Sequence, residues 1–382
     1  MLGINSNINS LVAQQNLNGS QSALSQAITR LSSGKRINSA ADDAAGLAIS
    51  TRMQTQINGL NQGVSNANDG VSMVQTASSA LSSLTSSLQR IRQLAVQAST
   101  GSLSSSDQAA LQKEVAAQIS EVNRIASQTT YNGTNILDGS AGSLTFQVGA
   151  NVGQTISLNL SQSMSAAKIG GGLVQTGQTV GTVSLSVDSA GAYTTAASPA
   201  ITAINVLSDG QGGYTFTDQN NQAIAATVAQ AVFGAGATAG TGTQGTALAL
   251  QAAATTTAGA GSAAQASAVA QINAINSPPT VSNLDISTVT GANEAMVSID
   301  NALQTVNNLQ ASLGAAQNRF TAISTSQQAE STDLSSAQSQ ITDANFAQET
   351  ANLSKAQVLQ QAGISVLAQA NSNPQQVLKL LQ

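Results

Sequence analysis

Apolar residues that return every seven positions limit this chain more than anything else in it. Leu60, Ala67, Val74, Leu81, Leu88 and Ala95 form the longest series, flanked by Ile57, Val64, Val71, Leu84 and Ile91. A sustained seven-residue interval draws one stripe along a long helix and calls for a second helix packed against it in coiled-coil fashion. At ~1.5 Å per residue the series predicts a rod on the order of 65 Å long. Leu17, Leu24 and Leu31, with Ile28 beside them, repeat the interval earlier. Ile299, Val306, Leu313 and Phe320, with Leu303, Leu309 and Ile323, repeat it later. Breaks at Gly101 and around Tyr131-Asn132-Gly133 leave a shorter helix carrying Leu111, Val115, Ile119, Val122 and Ile125. Such stripes are hidden only by pairing. The simplest closure packs N-terminal helices against C-terminal ones, sets the two ends side by side, and leaves the central third as an insertion at the far end of the rod.

Composition removes most other uses for such a scaffold. The chain has 382 residues, enough for two or three domains, yet only 8% of them are charged, against roughly 25% in an ordinary domain. Cys and His are absent, so there is no thiol nucleophile, imidazole base or disulfide, and no zinc site that relies on those ligands. A net charge of -5 with eight aromatic residues lacks the basic footprint and the stacking platform of a nucleic-acid binder. The opening Met1-Leu2-Gly3-Ile4-Asn5-Ser6 has neither a basic nor an apolar signal region, so no cleavable secretory signal is expected. The uncharged stretch between Asp218 and Asp285 is too rich in Gln, Thr, Ser and Gly to enter a membrane. What remains is a protein of packing and assembly, with no catalytic residue, metal or cofactor.

Charge divides the chain into three parts. Residues 1–168 hold nine of twelve bases and seven of seventeen acids, and residues 281–382 hold three bases and seven acids. The middle has only Asp188, Asp209 and Asp218 as charged residues, and from Gly171 to Gly261 it carries 15 of the 32 glycines. Just before it, Thr145–Val148 and Thr155–Leu160 alternate apolar and polar residues around Gly149–Gly153, which is a hairpin signal. Val183–Val187 and Tyr214–Thr217 read as short strands. From Ala223 to Ala274 an Ala/Thr/Gly/Gln bias gives no assignment, and Pro278-Pro279 marks the return to the rod.

Three local patterns invite chemistry and are better read as structure. Gly34-Lys35-Arg36 lacks the first glycine of a phosphate loop, with Thr29 in its place, and Arg36 replaces the final hydroxyl. It reads as a basic turn between helices. Asp42-Asp43 has no further carboxylate at calcium-loop spacing and suits the first turn of a helix beginning near Ala44. Asn18, Asn132, Asn159 and Asn352 match the glycan acceptor pattern and, without an N-terminal signal, are taken as chance. The ends carry more. Ile4, Ile8, Leu11 and Leu17, and the stretches Leu353–Leu367 and Val377–Leu381, are amphipathic, rich in Gln and Asn, and almost uncharged. Pattern alone leaves two readings open: a pair that closes a monomer, or a pair that offers its outer faces to other subunits.

The run Leu31-Ser32-Ser33-Gly34-Lys35-Arg36-Ile37-Asn38-Ser39-Ala40-Ala41-Asp42-Asp43-Ala44-Ala45-Gly46-Leu47-Ala48-Ile49-Ser50 resembles the N-terminal signature of bacterial flagellin, the filament subunit of the flagellum. Leu313-Gly314-Ala315-Ala316-Gln317-Asn318-Arg319-Phe320 resembles the family's C-terminal rod motif. Gln361-Ala362-Gly363, Ala368–Asn371 and Pro374–Leu378 resemble its terminal signature. The resemblance covers residues 1–170 and 284–382.

The resemblance implies a mainly α fold: a coiled-coil rod of long helices from both termini with one β-hairpin, plus an inserted, variable, mostly-β outer domain. Residues 1–40 with 345–382 would be the inner terminal pair, disordered in the free subunit. Residues 41–170 with 284–344 would be the rod, with its hairpin near 145–160, and 171–283 the surface-exposed outer domain. It implies unfolded export through the flagellum's own channel, a secretion chaperone on the C-terminal helix, and growth beneath a cap into a helical homopolymer outside the cell. Leu17, Leu24, Leu31, Leu353, Val358, Leu367 and Leu378 would serve assembly in the filament core. The ordering cost of disordered ends would be offset by burying these stripes against neighbours. A Toll-like receptor of vertebrate innate immunity is implied as a partner through Arg90, Leu94 and Glu114, with Gln93 replacing a glutamate common in that motif. A hook–filament junction protein shares the terminal helices and the export route and stays open as an alternative, as does a surface adhesin.

Overall fold

The computed structural model describes residues 7–192, 194, 199–234, 247–250 and 262–380, with the backbone alone for 262 and 373–380. Part of the Ala/Thr/Gly/Gln-biased stretch left unassigned above, 235–246 and 251–261, lies outside the described residues. No peptide bond among the described residues is cis.

Helix α1 (Ile8–Ser33) begins at Asn7, whose side chain accepts the Ser10 amide, and ends at Gly34 with φ 71°. Gly34-Lys35-Arg36 is therefore a helix stop followed by a short bridge, with Lys35 opposite Asp343. Only a residue without Cβ takes that left-handed cap at no steric cost. Helix α2 (Ala44–Ala98) starts after Asp43, which accepts the Gly46 amide at 2.9 Å. Its 55 residues extend about 82 Å at ~1.5 Å each. Helix α3 (Ser105–Gln128) opens on a reciprocal capping box between Ser104 and Asp107. Two short strands, β1 (Thr130–Tyr131) and β2 (Thr134–Asn135), turn through Asn132 and Gly133, both at positive φ. The expected hairpin is β3 (Gly142–Gln147) with β4 (Thr155–Leu160). Helices α6 (Val289–Thr342) and α7 (Phe346–Leu380) close the chain.

The chain divides into two compact units. The first takes residues up to 68, the hairpin loop 147–155 and residues from 322 onward. In it Gln338 Nε2 donates to the Ser50 carbonyl and Ser331 Oγ to Asn61, which ties the opening of α2 to the end of α6. The loop lies on glycine. A Cβ on Gly59 would stand 2.8 Å from that of Ala150, and a Cβ on Gly63 would overlap the Val148 carbonyl. Gln327 Nε2 donates to that same carbonyl, and Asn66 Nδ2 to the Gln147 carbonyl at 2.7 Å. The loop is clamped from two helices, yet Val152 at its tip is fully exposed.

The second unit takes 69–146 and 156–321. Val74, Leu81, Leu88 and Ala95 from the long series are completely buried, as are Ile299, Val306, Leu313 and Phe320 from the later one. Phe320 packs edge-on against Phe146 at 5.2 Å and over Gly70, where a Cβ would meet the ring. Arg92 holds Asp300 at 2.7 Å, and Gln112 bonds both the Leu284 carbonyl and the Ile286 amide, which fastens α3 to the segment before α6.

The insertion within this unit is a three-stranded antiparallel sheet in the order β5 (Thr179–Val187), β6 (Ile201–Ser208), β7 (Tyr214–Asp218). Helices α4 (Ala226–Phe233) and α5 (Ser262–Ile275) join its core, with Phe233 stacked on Phe216 at 5.3 Å. The three isolated acids of the middle share one task. Asp188, Asp209 and Asp218 stand at the ends of the three strands, and each accepts on Oδ1 from the amides two and four residues on. Each also donates its own amide to the carbonyl four residues on, and the residue three on has positive φ: Gly191, Gly212 and Asn221. One side chain closes each turn, which is what a short carboxylate after a strand does well.

Candidate assembly surface

Helices α1 and α7 lie side by side in the first unit, joined at both ends. At the base the Arg36 amide donates to the Thr342 carbonyl and the Ala344 amide to the Gly34 carbonyl. At the other end Asn7 Nδ2 donates to the Ala370 carbonyl and Ser10 Oγ to Asn371, both at 2.8 Å. Between these points the fully buried apolar residues are alanines: Ala13 and Ala27 on α1, Ala356 and Ala370 on α7. Leu17, Leu24, Leu31, Leu353 and Leu367 are half-buried along the same seam, with Leu17 against Gly363. Small residues bring the helices close, but the pairing hides little large apolar surface.

The rest of that surface faces outward. Among the described residues thirteen large apolar side chains are exposed, and nine belong to these two helices. They are Ile8, Leu11, Val12 and Ile28 on α1, and Phe346, Val358, Leu359, Ile364 and Val366 on α7. Ile8, Leu11 and Val12 share one helical face by their spacing, with Leu11 71% exposed. Scattered single residues of this kind need no explanation, but this concentration on one helix pair marks an interaction surface. Of the sequence-derived assembly residues, Val358 lies on the outer face and Leu17, Leu24, Leu31, Leu353 and Leu367 in the seam. The Leu378 side chain lies outside the described residues.

One ion pair crosses the seam. Arg30 Nη1 donates to Glu349 Oε1 at 3.2 Å, with Glu349 only 7% exposed. Asn352 adds a contact to the second carboxylate oxygen, while Arg30 Nε is buried without an acceptor. Sequence reasoning passed over this pair because two lone charges 319 residues apart give no periodic signal.

The rod residues singled out for receptor contact are brought together in the second unit. Arg90 Nη2 lies 2.6 Å from Glu114 Oε1 and Arg90 Nε 2.8 Å from the same oxygen, and both side chains are exposed. Leu94 is 1% exposed and so offers a partner almost no surface of its own. Asp42 accepts from Gln26 on α1 and from Asn38 and Ser39, and Asp43 from the Gly46 amide, and no group of three carboxylates able to hold a metal occurs among the described residues. Among those residues no helix is long and apolar enough to cross a membrane.

Known proteins align with this architecture along its length. The bacterial flagellin N-terminal helical region matches residues 4–142, the flagellin D2 domain residues 172–275, and the bacterial flagellin C-terminal helical region residues 296–381. Flagellin B of Vibrio cholerae serotype O1 is 37% identical over 387 residues, spanning 100% of this chain and 99% of that protein. The B-type flagellin of Pseudomonas aeruginosa is 38% identical over 487 residues and spans 100% of both. The solved structure of FliC from Burkholderia pseudomallei is 69% identical with a TM-score of 0.61, covering 66% of this chain and 100% of that one. Both ends, the middle and the full length agree on one family, and the chain belongs to the bacterial flagellins, structural filament proteins and not enzymes.

Proposed function

We propose that this flagellin polymerises by itself into the helical filament outside the cell, and that α1 and α7 supply its inner contacts. The observation that carries this reading is the concentration of nine exposed apolar side chains on those two helices. Each side chain of that size gains about 1.5–3 kcal/mol on full burial, which adds to the pairing of the helices against the ordering cost of docking. A contact between different patches of successive copies grows into an open helical filament when its rotation does not close into a ring. In this reading residues 1–40 with 345–382 form the inner pair, 41–170 with 284–344 the rod, and 171–283 the outer domain; the D2 match at 172–275 supports the last. Export unfolded through the flagellar channel, a chaperone on the C-terminal helix, and contact with the filament cap and hook-junction proteins belong to the same proposal.

Deleting residues 353–382 tests the reading. The truncated chain should stay soluble and fail to pellet as filaments under conditions where the full chain does. Pelletable filaments from the truncation would overturn it.

Recognition by a Toll-like receptor is proposed through Arg90 and Glu114. An exposed pair of this kind contributes about 0–1 kcal/mol to folding, so Arg90→Ala should lower a receptor-reporter response without moving thermal unfolding. An unchanged response would remove Arg90 from the contact.

A further inference from the structure

The dipeptide Asn-Gly occurs three times: at Asn18-Gly19, Asn58-Gly59 and Asn132-Gly133. Glycine has no Cβ to hinder its own backbone nitrogen from turning back on the preceding side-chain carbonyl. The sequence presents the three sites alike, and the fold separates them. Asn18 and Asn58 stand inside α1 and α2, where the glycine nitrogen is tied into the helical ladder. Asn58 Oδ1 is held further by Gln54 Nε2 at 3.0 Å. Asn132 and Gly133 instead form the two-residue turn between β1 and β2, both exposed and both at positive φ, 48° and 78°. Among the described residues neither the Asn132 side chain nor the Gly133 amide has a hydrogen-bond partner. The β1–β2 ladder consists of two residue pairs, Thr130 with Asn135 and Tyr131 with Thr134. So short a ladder opens at little cost, which frees Asn132 from its turn conformation far more often than a residue in mid-helix is freed.

We propose that Asn132 is a site of spontaneous covalent modification, at which the Gly133 backbone nitrogen closes a ring on the Asn132 side chain and water then converts the residue to aspartate or isoaspartate. The Gly133 nitrogen first gives its proton to base and attacks the Asn132 side-chain carbonyl carbon. A new C–N bond closes a five-membered succinimide, and the side-chain amide nitrogen takes up a proton and leaves as ammonia. Water then adds to either ring carbonyl and opens it, giving aspartate at one carbonyl and isoaspartate at the other. One water is consumed and one ammonia released, and nothing is oxidised or reduced. Both products place a negative charge in the turn. Isoaspartate also inserts a backbone carbon into a two-residue loop, which parts Tyr131 from Thr134. The change stays local, because Ile136 and Leu137 directly after β2 are 1% and 0% exposed. The Ile136 amide bonds the Thr129 carbonyl and the Leu137 carbonyl accepts the Met164 amide, so both ends of the turn remain anchored. None of this depends on the filament reading.

The test is ageing of the purified full-length chain in mildly alkaline buffer made with oxygen-18 water, followed by tryptic digestion and fragment mass spectrometry. Cleavage after Arg52, Arg90, Arg124 and Lys168 places Asn58 and Asn132 on separate peptides, with an unaged sample as the zero. Asn132 should become aspartate and isoaspartate, each carrying one solvent oxygen, at least about tenfold faster than Asn58. In the urea-unfolded chain the two rates should converge, since the fold and not the dipeptide sets the difference. The rate at Asn132 should also rise with pH, because the attacking nitrogen must first lose its proton. Equal rates at Asn58 and Asn132 in the folded chain would overturn the proposal. So would an Asn132 that stays intact while the unfolded chain reacts, or a rate that falls as pH rises.

Discussion

Gly59 and Gly63 occupy helical positions where alanine would ordinarily be more stable by about 0.5–1 kcal/mol. Here the hairpin loop lies where the methyl group would go, so Gly63→Ala is expected to destabilise by about 1–3 kcal/mol, the range for overpacking. The check is thermal unfolding together with proteolysis at 148–154, and a stabilised Gly63→Ala would mean the loop is not seated there. These glycines were not legible in the sequence, because the seven-residue series marks only apolar positions and a glycine in a helix says nothing about what approaches it. The acids of the middle were hidden differently. They are far apart along the chain, and only the backbone shows that Asp188, Asp209 and Asp218 close the same five-residue turn. Asp209→Ala removes an acceptor for two amides and should cost about 1–3 kcal/mol. Asp209→Asn keeps an oxygen in place and should cost markedly less; equal losses in denaturant unfolding would contradict the turn's dependence on that acceptor.

At the scale of elements, the stripes of α2 and α6 were readable because burial follows their period so closely. Val74, Leu81 and Leu88 have no exposed surface, and neither do Val306, Leu313 and Phe320. Leu81→Ala should therefore fall in the usual range for a buried leucine, about 2–5 kcal/mol, in calorimetry. The hairpin was legible through its alternation. Strand β6 was not singled out, since Ile201–Ser208 mixes Thr, Ala and Asn with its apolar residues. Helices α4 and α5 were concealed by an alanine-rich bias that carries no clear period. The turn before α2 adds a pH dependence. Bonds from Gln26, Ser39 and Asn38 hold the Asp42 carboxyl below its usual value. A carboxylate favoured in the folded state contributes above its ordinary pKa, about 3.9, and loses that contribution as pH falls through the lowered folded value. Protection of the Asn38 and Ser39 amides, taken relative to their intrinsic exchange rate at each pH, should therefore fall only below that range. Loss of that protection as pH falls from 7 to 5 would contradict the assignment.

On the scale of the whole molecule, the proposed assembly surface lies on the two ends, where the sequence is amphipathic and nearly uncharged. The sequence did not show how little the pair hides, because the count of leucines suggests a deeper seam than the buried alanines make. The pair leaves Leu11, Phe346 and Val358 more than half exposed, and in the proposed filament neighbouring copies would cover them. The most direct test is seeded polymerisation of purified full-length chain, followed by light scattering and negative-stain microscopy. Long, uniform filaments growing from short fragments are the expected result. A chain that stays monomeric with both termini intact would contradict self-assembly as its function.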